Sequence, residues 1–340
     1  MITLHYESRF GLARGAIYWQ GLPQFYDEGF ECDPSLGLLG VRSVARLTAK
    51  AGALAFLTLA DGEQAVLDGA ADVLGRVNEG AAVEVEIVAE ARGKGGKLAR
   101  ARLIAPVVGE PRRVSPIRNL RDRLLARSVA LLGERVVRLG TDAEALDDAR
   151  DSAADPSGPL ANGGHLSIEP TRALIACDVD SAAVDQGLAQ TSKTVARACN
   201  ELAVGDLGRR LRLSGQAGHV VVDLIGRRHD GKRLTQLLIA GFAAEAPKLI
   251  VAPIGKFGTL ECVRPWGARP LADGFKNEGQ ALYRLNAAIR LAGQDRGRVI
   301  VLRDRAPVID VLRPLLAGSL DPLAPMLRLE TSDRPEVIAL

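Results

Sequence analysis

Cysteine is scarce in this 340-residue chain. The four present, Cys32, Cys177, Cys199 and Cys262, include no Cys-x-x-Cys pair. That spacing excludes a zinc ribbon and offers no disulfide framework, so a reducing cytoplasm is the natural compartment. No stretch of ~18 uninterrupted apolar residues occurs, and the opening residues MITLH lack a secretory pattern. The expectation is a cytoplasmic protein without a membrane partner. Aromatic residues are few, 4% of the chain, which leaves little material for base-stacking platforms. No serine or cysteine stands in a nucleophile's context, and Gly163 and Gly164 alone are too short a glycine run to hold a phosphate.

Charge is plentiful but unevenly placed. The formal net charge is +3, yet residues 90–138 hold 13 Lys/Arg against 4 Asp/Glu, a surplus of +9 that leaves about −6 for the rest. Such asymmetry points to a polyanionic partner, although a basic run also serves as a plain solvated face. The length allows two or three domains and a sizeable core.

Two aspartates carry most of the chemical signal. Residues 173–181 read ALIACDVDS and residues 219–225 read HVVVDLI. Each is a short, β-branched apolar run closed by an aspartate, the pattern of a buried strand. If the two strands pair, Asp178 and Asp223 converge. Asp178 and Asp180, two apart on an extended segment, point to one face. Carboxylates so placed suit a hard cation such as Mg²⁺, which takes one or two of them plus waters and substrate phosphates. The constellation suggests metal-assisted phosphodiester chemistry, with Asp178 and Asp223 as the metal ligands. The competing reading of a strand-end aspartate is a side chain that caps the following turn. Of the nearby histidines, His219 reads as a strand residue and His165 and His229 as surface-loop residues, not as general bases.

The organisation is α/β. Residues 1–31 read as strands without a core of their own. Five short strands at 43–48, 54–59, 64–67, 82–88 and 98–103, with a glycine-rich connection at 92–97, predict an OB-type barrel. Leucines near helical spacing predict helix over 116–150, and the capping-box spacing of Thr141 and Glu144 marks the start of a further helix. Residues 151–164 read as a loop. Strand (166–178), helix (186–213), strand (219–225), helix (230–246) and strand (248–254) then alternate. Helix (279–292), strand (298–302) and helix (306–316) follow as a carboxy-terminal α/β appendage.

Residues 163–181, GGHLSIEPTRALIACDVDS, resemble the segment around the first catalytic aspartate of the ribonuclease E/G family. Asn200, the LRL at 211–213, the GHVVVD at 218–223 and the IGKFGTLE at 254–261 follow in that family's order and spacing. The resemblance implies a Mg²⁺-dependent endoribonuclease acting on single-stranded RNA in RNA processing or decay. The implied fold is a mixed-sheet catalytic body with RNase H-like and DNase I-like subdomains and an inserted OB-type barrel. It divides the chain into 1–35, strands of the catalytic body; 36–105, the RNA-binding barrel; 106–265, the body with its metal site; and 266–340, the appendage. Asp178 and Asp223 fall at the family's two essential aspartates. Asp180 stands where the family has an asparagine, and Asn200 is a candidate for orienting a ligand or the scissile phosphate. RNA binding falls to Lys94, Lys97, Arg100, Arg102, Arg112 and Arg113, with Lys256 in the third matched segment and Phe257 expected in the core.

The chain also departs from the pattern. The family's Cys-pair zinc link is missing where residues 263–270 read VRPWGARP, so any homodimer would form without it. The pair of residues that reads a 5′-monophosphate is not recognisable, which implies no 5′-end sensing. Phe56 is the barrel's one aromatic, and Val66 falls near the family's stacking phenylalanine. These losses keep a second reading open, a non-catalytic RNA-binding protein derived from the same fold. A third is a phosphodiesterase for another nucleic acid, because nothing in the sequence enforces a ribose 2′-hydroxyl.

Overall fold

A computed structural model describes the chain except residues 1, 53, 69–74, 76, 93–95, 134–136, 182–191, 272–276, 295–296 and 320. It divides into two compact units, one of residues 34–117 with 150–273, the other of 1–33 with 118–149 and 274–340. Among the described residues no helix is long and apolar enough to cross a membrane.

The first of these units begins with a barrel. Its strands are β1 (Arg42–Ala51), β2 (Leu54–Thr58), β3 (Gln64–Asp68), β4 (Ala82–Ala89) and β5 (Ala99–Val107). Alternation decides which way each side chain points. Val83, Val85 and Ile87 are fully buried while Glu84 and Glu86 between them face outward. β1 pairs with both β2 and β4, β2 with β3, and β4 with β5. A parallel pairing of β3 with β5, Ala65 opposite Ala99, closes the ring. Five strands are closed in this way, and the OB-type barrel expected from the sequence is present. A short strand β6 (Arg112–Arg113) adds to β1 at Ser43 and Val44.

The second half of this unit is a six-stranded mixed sheet. Its elements are β7 (Gly158–Pro159), β8 (His165–Pro170), β9 (Ile175–Asp180), α1 (Ser192–Ser214), β10 (Gly218–Asp223), α2 (Gly231–Phe242), β11 (Ile250–Val251) and β12 (Thr259–Arg264). The spatial order is β7-β8-β9-β10-β12-β11, and only β9 and β10 run parallel. A parallel pair needs a crossover, which α1 supplies. Val195, Cys199, Ala203, Leu207 and Leu211 of α1 bury against Cys177, Val179, Val220 and Val222 of the sheet.

Three local readings are corrected. The single strand expected over 166–178 is the hairpin β8–β9. The Thr171 hydroxyl accepts from the Leu174 amide at 3.1 Å and donates to its carbonyl at 2.7 Å, turning the chain. The helix expected over 116–150 is interrupted: Leu120–Leu132 and Ala143–Ala154 flank a strand Val137–Gly140, the second being the further helix expected from the capping-box spacing. The second begins on Asp142, whose carboxylate accepts from the Glu144 and Ala145 amides, in place of Thr141. The loop read at 151–164 contains the end of that helix and β7.

α1 and α2 cross closely. A Cβ added at Gly208 would lie 2.5 Å from the Gly241 carbonyl carbon, whereas one at Gly205 meets nothing within 4 Å. Gly208→Ala should therefore destabilise by about 2–3 kcal/mol through overpacking against backbone. Gly205→Ala should stabilise by about 0.5–1 kcal/mol through helix propensity. Chemical denaturation of the two variants beside the parent checks the pair, and equal effects would refute the crossing.

The other unit holds a four-stranded sheet built from Ile2–Arg9, Leu12–Trp19, Leu22–Phe30 and Val137–Gly140. A three-stranded sheet of Ile300–Asp304, Leu327–Thr331 and Glu336–Ala339 packs with helices Asn277–Gln294 and Ala306–Ala317. The buried Arg14 bridges Glu7 and Asp147, each at 2.5 Å.

Candidate active site at the paired aspartates

Asp178 of β9 and Asp223 of β10 are register partners on adjacent parallel strands. Both are exposed, between the buried Cys177 and Val179 and the buried Val222 and Leu224. The pleat produces this arrangement by sending alternate residues to the helix-covered core and to the open face. Ser167 lies opposite Asp178 and Thr259 opposite Asp223, so one row of oxygen-bearing side chains crosses four strands. Asp180 is exposed two residues on, next to its partner His165. With Cα atoms ~5 Å apart, two carboxylates directly opposite repel, which costs a few tenths to 1 kcal/mol unless a cation lies between them.

A cleft of about 260 Å³ opens here, lined by Asp178, Val179, Asp180, Ser181, Asp223, Leu224 and Ile225. It sits beyond the carboxyl ends of the parallel strands, where α/β sheets bind ligands. The donor chemistry fits a hard cation. Among the described residues no three His, Cys, Asp or Glu side chains close around a point, but Mg²⁺ needs only one or two carboxylates and keeps its waters. Soft donors are withheld, since burial pushes the thiols of Cys177 and Cys262 up to about 12.

Asn200 is buried on α1. Its Nδ2 donates to the Ile225 carbonyl and its Oδ1 accepts from the Ile225 amide, each at 3.0 Å. It pins the chain two residues beyond Asp223. Both groups of the amide are thus engaged by the backbone of Ile225.

Residues 133–266, which include all of these positions, match the model of the Ribonuclease E/G family. This segment belongs to that family. The chain is also 27% identical over 149 residues to Ribonuclease E of Nostoc sp. (strain PCC 7120 / SAG 25.82 / UTEX 2576), a match covering 43% of this chain and 21% of that protein. The chain thus spans about a fifth of the curated relative it matches.

Other residues of the ribonuclease E/G segment lie on the strands and turns of the same sheet. Lys256 is exposed in the turn before β12, and beside it Phe257 is 93% exposed, not in the core. Arg227 and Arg228, exposed in the loop after Asp223, escaped the sequence reading. The signal available for them was a basic pair within five residues of a strand-end aspartate. His165 and His219 both lie on strands, so the loop expected at His165 is corrected. His219 approaches Glu261 at 3.5 Å. His229 meets the Gly226 carbonyl at 3.1 Å. Arg264 is committed to Glu245 and to the Leu211 and Gln216 carbonyls.

Several of the barrel cations have acidic or carbonyl partners. Lys94 lies outside the described residues. Lys97, Arg100, Arg102 and Arg112 are exposed. Arg102 pairs with Glu86 at 2.6 Å, Arg42 with Glu84, and Arg46 with Glu110 at 2.7 Å. β4 thus lays Glu84 and Glu86, which precede the basic window in sequence, alongside it. Phe56, Val66 and Arg100 are successive cross-strand neighbours on the outer face of β2, β3 and β5. Arg113 donates to the Pro34 and Ser35 carbonyls at 2.6 and 2.7 Å. Arg113→Ala should therefore leave the salt dependence of RNA binding unchanged and lower barrel stability by about 1–3 kcal/mol. A reduced salt slope with unchanged stability would show a phosphate contact instead.

The segment that replaces the zinc-link cysteines has a structural task. Trp266 lies under Arg92, 3.3 Å from ring centroid to guanidinium carbon. Glu90 accepts from the Leu39 and Arg269 amides at 3.0 Å and its own amide donates to the Gly267 carbonyl. These contacts fasten the barrel end to the chain leaving β12.

Proposed function

We propose that this chain is a Mg²⁺-dependent endoribonuclease that cleaves single-stranded RNA at the cleft bearing Asp178 and Asp223. The register pairing of the two aspartates on the open face carries the reading, and the family of the segment supports it. Asp178 and Asp223 would hold the cation, with Asp180 adding a third carboxylate beside the cleft. Such a cation, when bound, neutralises phosphate charge and lowers the pKa of a water. The protein's own residues supply position. Asn200 fixes the Ile225 wall through both amide groups, and Lys256, Arg227 and Arg228 offer positive charge along the rim. The barrel, residues 36–105, would grip the strand through the Phe56–Val66–Arg100 row, the face that OB folds present to oligonucleotides. With only one aromatic in that row, its grip is mainly electrostatic. In this reading residues 106–265 form the catalytic body, its RNase H-like and DNase I-like subdomains included.

The test is cleavage of an end-labelled single-stranded RNA with Mg²⁺ and with EDTA. Products that need Mg²⁺ support the nuclease. RNA that is bound but left intact under both conditions would replace it with an RNA clamp. Substrates with a 5′-monophosphate and a 5′-hydroxyl should be cut equally, because no residues for reading the phosphate are recognisable; a large monophosphate preference would overturn that part.

A further inference from the structure

We propose that Phe257 is a base-stacking platform of the cleft, on which a nucleobase next to the scissile phosphate lies. The proposal rests on the reading of the cleft as an RNA site. Phe257 is 93% exposed, whereas Phe242 of the same core is fully buried. Leaving a phenylalanine in water forgoes about 2–3 kcal/mol of burial, and the chain does so on a rigid support.

The turn beneath the ring is well defined. The Gly255 amide donates to the Thr259 carbonyl at 2.9 Å and the Gly258 amide to the Gly255 carbonyl at 3.0 Å. Gly258 has φ +89°, and a Cβ there would come within 3.2 Å of both the Gly226 carbonyl and the His229 ring. Only glycine allows this close approach of the two loops. The fixed turn holds its ring at the tip, and little ordering remains to be done when a base arrives.

Placement connects the ring to the chemistry. Thr259, the first residue of β12, is the register partner of Asp223, and Phe257 lies in the turn two residues before it. It is at the same end of the sheet as Asp223, Leu224 and Ile225. Lys256 beside it and Arg227 and Arg228 across from it are exposed cations, placed to meet phosphates on either side of a stacked base. Aromatic platforms between backbone-tracking cations are the pattern of sequence-tolerant single-strand binding. The barrel is poor in aromatics, and Phe257 moves that function to the catalytic sheet.

The test compares Phe257→Ala and Phe257→Tyr in the full chain carrying Asp178→Asn, which removes one negative charge from the cleft and is expected to stop turnover. Fluorescence anisotropy would follow a labelled oligoadenosine and an abasic oligomer with the same number of phosphates. Phe257→Ala should weaken oligoadenosine binding about 5- to 100-fold, leave the abasic oligomer unchanged, and keep the same salt slope. Phe257→Tyr should bind like the parent. Equal binding of oligoadenosine by Phe257→Ala and its parent, an equal loss on both oligomers, or no binding by the parent would overturn the platform. Mg²⁺-dependent cleavage by the unaltered chain tests the nuclease separately, so either idea can fail alone.

Discussion

Asp178→Asn and Asp223→Asn should each abolish most Mg²⁺-dependent RNA cleavage while leaving the fold at least as stable. Removing one carboxylate from a two-carboxylate cation site forfeits several kcal/mol of charge stabilisation in the transition state, which is about 10²- to 10⁴-fold in rate. Stability should move the other way. Without a cation the two side chains are like charges directly opposite on neighbouring strands, so neutralising either relieves about 0.2–1 kcal/mol. In EDTA the variants should unfold at or slightly above the parent's temperature. Mg²⁺ at ten times its Kd should add about 1.4 kcal/mol to the parent through linkage and much less to the variants. Melting curves with and without Mg²⁺, together with single-turnover cleavage, give both readouts. Variants that melt lower in EDTA would show that the aspartates cap turns. Variants that cleave normally would remove the site altogether.

The barrel and the aspartate pair were legible because both are written in short-range alternation. Each of the five strands keeps apolar side chains on one face, and each aspartate ends such a run. What stayed hidden depends on which residues the fold makes neighbours. Glu84 and Glu86 lie outside the window 90–138 that looked strongly basic, but β4 pairs with β5 and sets Glu86 on Arg102. The hairpin at Thr171 had a local sign, since the buried positions change phase from Leu166 and Ile168 to Ile175, Cys177 and Val179 across Pro170, Thr171 and Arg172. The core position expected for Phe257 overlooks Gly255 and Gly258 near it, which are the local sign of a turn. Asn200 showed its residue type but not its direction, since helix phase alone does not say which backbone group lies across from it.

Asn200→Ala should lower both stability and turnover. The substitution leaves the Ile225 amide and carbonyl without the partners they now have at 3.0 Å. Each buried backbone group left unpaired costs about 1–3 kcal/mol, so a loss of about 2–5 kcal/mol is expected. Ile225 lines the cleft and lies two residues after Asp223, so loosening it moves the aspartate's strand end. A displacement of ~1 Å at a reacting centre is enough for a 10²-fold loss in rate. A merely structural role would lower stability and leave the folded fraction fully active. A positioning role should lower kcat and raise the Mg²⁺ concentration needed for half-maximal rate, with the KM for RNA little changed, at a temperature where the variant is wholly folded. Asn200→Asp separates the two groups of the amide. It keeps the acceptor for the Ile225 amide but loses the donor and buries a charge, so its rate should fall below the parent's even where it folds. A folded Asn200→Ala protein with the parent's kcat and Mg²⁺ midpoint would show that the loop holds Asp223 without this residue.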